Sequence, residues 1–253
     1  VARIHALMSF HEADSDISVL NRDGARQAVI VAPETYDVIR RGLEIAKVSK
    51  GVFDFTVGAD LAAWGFLPRP GNAPEPDPRA SWRDIELLDG QNVRFHRPLW
   101  IDLGGIAKGY AVDCAVAKVT ALGAPQVCIN AGGDLRVKGP QAERVLLRTG
   151  LAGDSVPVVE IENGSLASSG GREHLKRHDG RLVGPHLHGA RRTPVGTRSF
   201  VSVVAEDCII ADALTKVALA RGREAAPLLR TFGATGYLHN ARHGWRVIGR
   251  ESA

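Results

Sequence analysis

The sequence predicts an α+β protein, and three observations carry that prediction. Helical spacing of apolar residues occurs in separate blocks, a run of short β-rich segments lies between the second and third of them, and turn signals cluster inside that run. Clustering of this kind is not the regular βαβ alternation of a parallel sheet. A chain of 253 residues with 44% hydrophobic and 24% charged residues can bury a sizeable core, as one large unit or two packed closely.

Taken in order, PETYDVIRRGLEIAKVSKG sets Tyr36, Ile39, Leu43, Ile45 and Ala46 at mostly helical spacing behind a Pro33-Glu34 start, with Gly51 where a helix stops. The stretch 68–80 holds too much proline for a helix or a central strand and reads as a surface excursion. SWRDIELLDGQNVRFHRP alternates about Asp89-Gly90, a hairpin signal. IAKGYAVDCAVAKVTALGA reads as a helix with Ala107, Ala111, Ala115 and Val119 on one face and Gly123 as its stop. QVCINAGGDLRVKG, RVLLRTG, VPVVEIENGSLASSG and RSFVSVVAED read as strands, and CIIADALTKVALARG as a helix. TGYLHNARHGWRVIG closes the chain as a pair turning between Asn240 and Gly244.

Composition removes several function classes. Lysine and arginine number 32 against 28 acids, a net charge of +4, and the basic residues are dispersed, so no stripe for nucleic acid exists and the charge is a mild preference for anions. The most apolar stretch, SFVSVVAEDCIIADALTKVALA, is broken by Glu206, Asp207, Asp212 and Lys216 before it reaches the roughly 18 apolar residues of a membrane span. IHALMSF carries neither a basic leader nor a cleavage motif. Cys114, Cys128 and Cys208 are far apart, without a C-x-x-C pair, and read as small buried hydrophobes.

Chemistry concentrates in a few motifs. In IDLGGIAKGYAVD, Gly104 and Gly105 stand at the mouth of a helix, where bare backbone lets an anion approach N–H groups at the positive end of the dipole. The run GGIAKG matches neither G-x-G-x-x-G nor G-x-x-x-x-G-K-[ST], so a Rossmann or P-loop site is not supported. A plain strand-to-helix turn with a solvated Lys108 explains the same residues. INAGGDLRVKG repeats the device with Gly132, Gly133 and Asp134, and SLASSGG repeats it at Ser169 and Gly170; each is also an ordinary tight turn. In CIIADALTKVALARG, Asp212 shares a face with Thr215 and Lys216, a set that suits a hard cation such as Mg²⁺ or an ordinary i,i+4 ion pair. Among nine histidines, His174, His186 and His188 lie near glycine-rich segments, where one could accept a proton.

At these motifs the sequence resembles the ApbE family, the FAD:protein FMN transferases. SFHEADSDISVLNR is similar to its S-x-I-S-x-x-N stretch, and GVFDFTVGADLAAWGF to its G-x-F-D-x-T-V-G…W-G-F element. IDLGGIAKGYAVD, INAGGDLRVKG, SLASSGG and IIADALTKVALARG follow in the family's order. The resemblance implies an α+β, T-fold-like architecture over 1–253, in two interleaved lobes with mixed or antiparallel sheets and flanking helices. It implies FAD as the ligand, in contact with Gly104, Gly105, Ala107, Lys108, Asp113, Gly132, Gly133, Asp134, Ser169 and Gly170. It also implies Mg²⁺ on the Ala107 carbonyl, Asp212 and Thr215, and a target protein whose threonine or serine receives FMN as AMP leaves. His186 is the base so implied, with Asp212 and Lys216 beside it, and the periplasmic side of a membrane is the compartment. FAD pyrophosphatase activity and FAD binding without catalysis are the rival expectations.

Two departures from the family pattern stand out. Where the family reads D-A-L-x-T, this helix reads D-A-L-T-K, so the fourth residue after the aspartate is Lys216; either the threonine ligand has moved one position earlier, to Thr215, and Mg²⁺ still binds, or the Lys216 ammonium supplies part of the charge that a metal supplies elsewhere. In GPHLHGARRTPVG the family's H-x-x-D-P-x-T-G keeps His186, but the acid falls on Gly189 and the proline on Ala190. The family's opening strand and methionine-bearing turn have no counterpart ahead of SFHE.

Overall fold

The structure, a computed structural model, describes residues 1–149, 156–170 and 175–249. His174 and Gly171 fall outside these residues. The helices are α1 (Ala2–Met8), α2 (Asp16–Asp23), α3 (Pro33–Val48), α4 (Gly58–Ala63), α5 (Ala107–Ala121), α6 (Cys208–Arg221) and α7 (Ala226–Thr231). The N-terminal half holds strands β1 (Val29–Ile30), β2 (Ile85–Leu88) and β3 (Asn92–Phe95) in a small antiparallel sheet of order β1-β3-β2. β4 (Val127–Ala131), β5 (Asp134–Lys138), β6 (Glu143–Leu146), β7 (Val158–Ile161) and β8 (Ser165–Gly170) follow. Then come β9 (Lys176–His178), β10 (Arg181–Val183), β11 (Leu187–His188), β12 (Thr193–Pro194), β13 (Ser199–Ala205), β14 (Thr235–Asn240) and β15 (Gly244–Ile248).

The organising element is a six-stranded antiparallel sheet of order β15-β14-β13-β8-β5-β4. Two of its hairpins are those read from the sequence: Gly132 and Gly133 turn at φ 65° and 96°, and Gly244 closes the last pair at φ 63°. Positive φ is where glycine, lacking Cβ, is favoured. α5 packs on β4 and β5, α6 packs on β8 and β13, and the two helices pack on each other. That contact is close because of Gly109, where an added Cβ would lie 2.3 Å from the Cys208 carbonyl oxygen.

One continuous core joins early and late parts of the chain, from Phe10, Ile17 and Leu20 through Phe53, Phe55, Ile101 and Leu103 to Val201, Leu214 and Val217. A smaller cluster, with Val137, Val159, Ile161 and Leu166 in it, lies beneath β6 and β7. Ser15 caps α2 by accepting from the Ser18 N–H at 3.1 Å, and from α2 Asn21 grips the backbone ahead of the glycine turn. Its Oδ1 accepts from the Ile101 N–H at 2.7 Å and its Nδ2 donates to the Ile101 carbonyl at 3.1 Å. Ser15, Ser18 and Asn21 are the polar positions of the S-x-I-S-x-x-N stretch; the first starts α2, and the last holds the approach to Asp102 and Gly104.

Three expectations need correction. The buried stripe of α5 is Gly109, Ala111, Val112 and Val116, while Val119 is exposed, because α5 is clasped by both α6 and the sheet. Of the cysteines only Cys208 is buried; Cys128 faces outward from β4, an edge strand. Residues 1–24 and 56–67, to which no element was assigned, contain α1, α2 and α4. Among the described residues no helix is long and apolar enough to cross a membrane.

Candidate active site

The motifs meet in a cleft of about 440 Å³. Its lining joins apolar side chains, among them Phe53, Phe55, Phe66 and Leu67, with Asp102, Gly104, Gly105, Lys108, Ser168, Ser169, Gly170, His186 and Lys216. A second cavity of about 490 Å³ shares Ser168 and Gly170 with the first and is lined by Gly132, Gly133, Arg148, Arg198 and Phe200 among others. Both lie in the size range of small-molecule sites.

Several elements position these groups. The 51–58 segment runs beside 100–102, with the Asp102 N–H donating to the Phe55 carbonyl at 2.8 Å and the Gly58 N–H donating to the Trp100 carbonyl at 3.0 Å. The His186 segment is strapped to the same region: Gly189 N–H donates to the Val52 carbonyl at 3.0 Å, and the Arg192 guanidinium reaches the Thr56 carbonyl, the Thr56 hydroxyl and the carboxylates of Asp54 and Asp60. A Cβ on Gly189 would fall 2.4 Å from that of Asp54 and 2.5 Å from the Gly51 carbonyl oxygen. The missing acid therefore has a steric reason, since this strap leaves no room for any side chain at 189.

Charge is dense at the base of the cleft. Asp212 is 1% exposed, its Oδ1 in contact with the Lys216 ammonium and its Oδ2 accepting from the Gly109 N–H at 3.2 Å. Burial pushes this carboxyl up, but Lys216, Lys108 and the Gly109 N–H outweigh burial and hold it below the usual range. Asp134 is fully buried, and the Lys108 ammonium lies 3.1 Å away; the pair lacks hydrogen-bond angles, so both oxygens are without a donor. Burial and the neighbouring Asp212 charge push the Asp134 carboxyl up to about 6. Burial and then Lys216 drive the His186 imidazole down to about 3, so it is neutral at pH 7.

The Asp134 shift has a thermodynamic consequence. Because the folded pKa exceeds the unfolded value, the folded state binds the extra proton, and stability falls as pH rises between about 4 and 6. Asp134→Asn is expected to stabilise the protein on the order of 2–3 kcal/mol at pH 8 and by little at pH 4. Denaturant melts at the two pH values check this; an equal effect at both would contradict it.

Not every residue named from the sequence enters the cleft. Asp113 sits away from it as a cap for α6, accepting from Cys208 N–H at 3.0 Å and Ile209 N–H at 2.9 Å while paired with Arg136. Gly132 and Gly133 line the adjoining cavity instead. Thr215 is fully buried, sharing a 2.8 Å hydrogen bond with Ser169 Oγ and donating to the Asp212 carbonyl at 2.6 Å. The set does not fit Mg²⁺. Thr215 is turned inward and Asp212 is matched by an ammonium. Asp102, Ser168 and Asn21 were not singled out from the sequence; Asp102 and Ser168 line the cleft, and Asn21 sets it in place.

Fold and site together define an α+β protein with a cleft lined by lysines, a histidine, glycines and aromatic side chains at the entry to a helix. The sequence profile of the ApbE family matches residues 1–235, and the chain belongs to that family. A FAD:protein FMN transferase of Vibrio cholerae is 27% identical over 232 residues, 86% of this chain and 70% of that protein. One of Haemophilus influenzae is 25% identical over 244 residues, covering 88% and 70%. The crystal structure of the ApbE protein from Thermotoga maritima superposes with a TM-score of 0.83 at 27% identity, over 96% of this chain and 84% of that one.

Proposed function

We propose that this chain is a FAD:protein FMN transferase. The reading rests on one observation above the others: the bare turn at Gly104-Gly105, two lysines, a neutral imidazole and three phenylalanines line one cleft. Phenylalanine rings suit a flavin or adenine ring, and the helix entry with Lys108 and Lys216 suits the diphosphate that joins them. α5 begins without a capping side chain, which leaves the positive end of its dipole for a ligand.

The chemistry then follows from placement. A threonine or serine hydroxyl of the target protein attacks the FMN-side phosphorus; the new O–P bond forms as the bridging O–P bond breaks, and its electron pair leaves with AMP. The hydroxyl proton passes to His186, which is neutral and so able to accept it. Diphosphate charge placed between His186 and the two lysines offsets the cationic part of the depression of its pKa, strengthening the base once FAD is seated. Positioning and electrostatics supply most of the rate. Action on the periplasmic side, implied by the family resemblance, belongs to this reading and is checked by cell fractionation.

Incubation with FAD and a threonine-bearing acceptor protein is expected to release AMP and add the mass of FMN to the acceptor. AMP without the adduct identifies a hydrolase; retained FAD with neither product identifies a binder. Gly105→Val is a sharper probe, since an added Cβ already lies 3.3 Å from Lys216 Cε. It is expected to weaken FAD binding about 10-fold, or about 1.4 kcal/mol, with little change in melting temperature. Unchanged binding in a fluorescence titration would remove this turn from the phosphate site.

A further inference from the structure

We infer that Lys216 is the resident cation of this site, and that the phosphoryl transfer runs without a divalent metal. The inference rests on the transferase reading above and concerns what neutralises the diphosphate. Lys216 stands one helical turn after Asp212 on α6, its side chain 13% exposed. Its ammonium touches Asp212 Oδ1 and lies 3.1 Å from the Asp212 carbonyl oxygen, so two of its three N–H donors are held by Asp212 while the side chain lines the cleft. Its stem lies along Gly105, where an added Cβ would sit 3.3 Å from Lys216 Cε, close enough that the lysine would have to shift. The bare turn thus makes room for the lysine as well as for a ligand.

A metal at Asp212 would have to displace this ammonium or sit against it. Like charges in contact inside a buried site are strongly unfavourable, and the other oxygen expected nearby, Thr215 Oγ1, is fully buried, with its proton on the Asp212 carbonyl and a hydrogen bond shared with Ser169 Oγ. Asp212 does for the ammonium what a carboxylate ligand does for a metal, fixing a positive charge at one point. In the transfer step Lys216 forms no covalent bond. It neutralises charge gathering on the bridging oxygen as the O–P bond breaks towards AMP, with Lys108 as the second positive charge.

The test compares wild type, Lys216→Thr, Lys216→Arg and Lys216→Met. AMP release and acceptor mass are measured in excess EDTA and in Mg²⁺, with calorimetric titration of Mg²⁺ alone onto each protein and thermal melts as the folding control. Wild type is expected to run at the same rate in EDTA and in Mg²⁺, within about twofold, and to give no Mg²⁺ isotherm; Lys216→Arg is expected to lose rate, since its larger planar head does not fit the same point, but to lose it equally in both media. Lys216→Thr places an oxygen four residues after Asp212 and is expected to bind Mg²⁺ and to fall about 100-fold in EDTA. Lys216→Met is expected to fall by a similar factor in both media. An Mg²⁺ isotherm on wild type, with EDTA abolishing its activity, overturns the assignment. Absence of FAD binding and AMP release in every medium overturns the transferase reading instead, and the wild-type Mg²⁺ titration still decides what Asp212 holds.

Discussion

Replacing Asp212 by asparagine is expected to lower FMN transfer by about 10²–10³-fold, the loss typical of removing an element that fixes charge at a transition state. The substitution keeps an oxygen to accept from the Gly109 N–H and keeps the volume, so the junction of α5 and α6 survives. The anion that seats Lys216 is lost, and in the wild-type protein Lys216 is the largest influence opposing burial at that carboxyl. Lys216 then has Asp134 and solvent as competing partners, and its ammonium no longer stands at a fixed point in the cleft. Steady-state AMP release measures the effect, with a thermal melt to show that the fold persists. A variant within about threefold of wild type would mean that Asp212 and Lys216 are an ordinary helix ion pair.

Gly109→Ala is expected to have the largest effect on stability. The added methyl would meet backbone on α6, at 2.3 Å from the Cys208 carbonyl oxygen, 2.6 Å from its carbon and 2.8 Å from Ile209 Cα. Backbone cannot rotate aside as a side chain can, so the helices must separate, and overpacking of this kind costs about 3 kcal/mol. For a chain of this size that is a fall in melting temperature of roughly 6–12 °C. Separation also draws the Gly109 N–H from Asp212, so activity falls with stability. A melting temperature within about 2 °C of wild type would show that α5 and α6 have slack at this crossing.

Much of the fold was legible because periodicity and turn chemistry act locally. The helix 33–48, the hairpin about Asp89-Gly90 and the closing pair each carry their own signals, and each is present. What was not legible depends on tertiary packing. α1, α2 and α4 are short, and their boundaries are set by contacts with the shared core and by caps such as Ser15, not by a long apolar stripe. The buried face of α5 differed from the alanine stripe because the closest approach uses Gly109, a residue no hydrophobic pattern can mark.

The site shows the same division. Gly104, Gly105, Lys108, Ser169, Gly170, His186 and Lys216 were named from motifs and line one cleft. Asp113 carries the same kind of signal, an acid near a glycine-rich turn, yet its carboxylate is consumed by the first turn of α6. No spacing rule separates a carboxylate that meets a ligand from one that caps a helix arriving 95 residues later. The acid absent at 189 was visible as a departure, but its cause, the backbone of Gly51 and the side chain of Asp54 pressed against Gly189, exists only in three dimensions.

The central claim is that the helix entry at 104–108 and the Asp212–Lys216 pair converge on one diphosphate. A crystal structure of the protein soaked with FAD tests it most directly. The expected result places the diphosphate between the Gly104-Gly105 turn and the two ammonium groups, with Lys216 Nζ in hydrogen-bond reach of a phosphate oxygen and still held by Asp212. Flavin density elsewhere on the molecule, or a metal ion on Asp212 with Lys216 turned away, would contradict it.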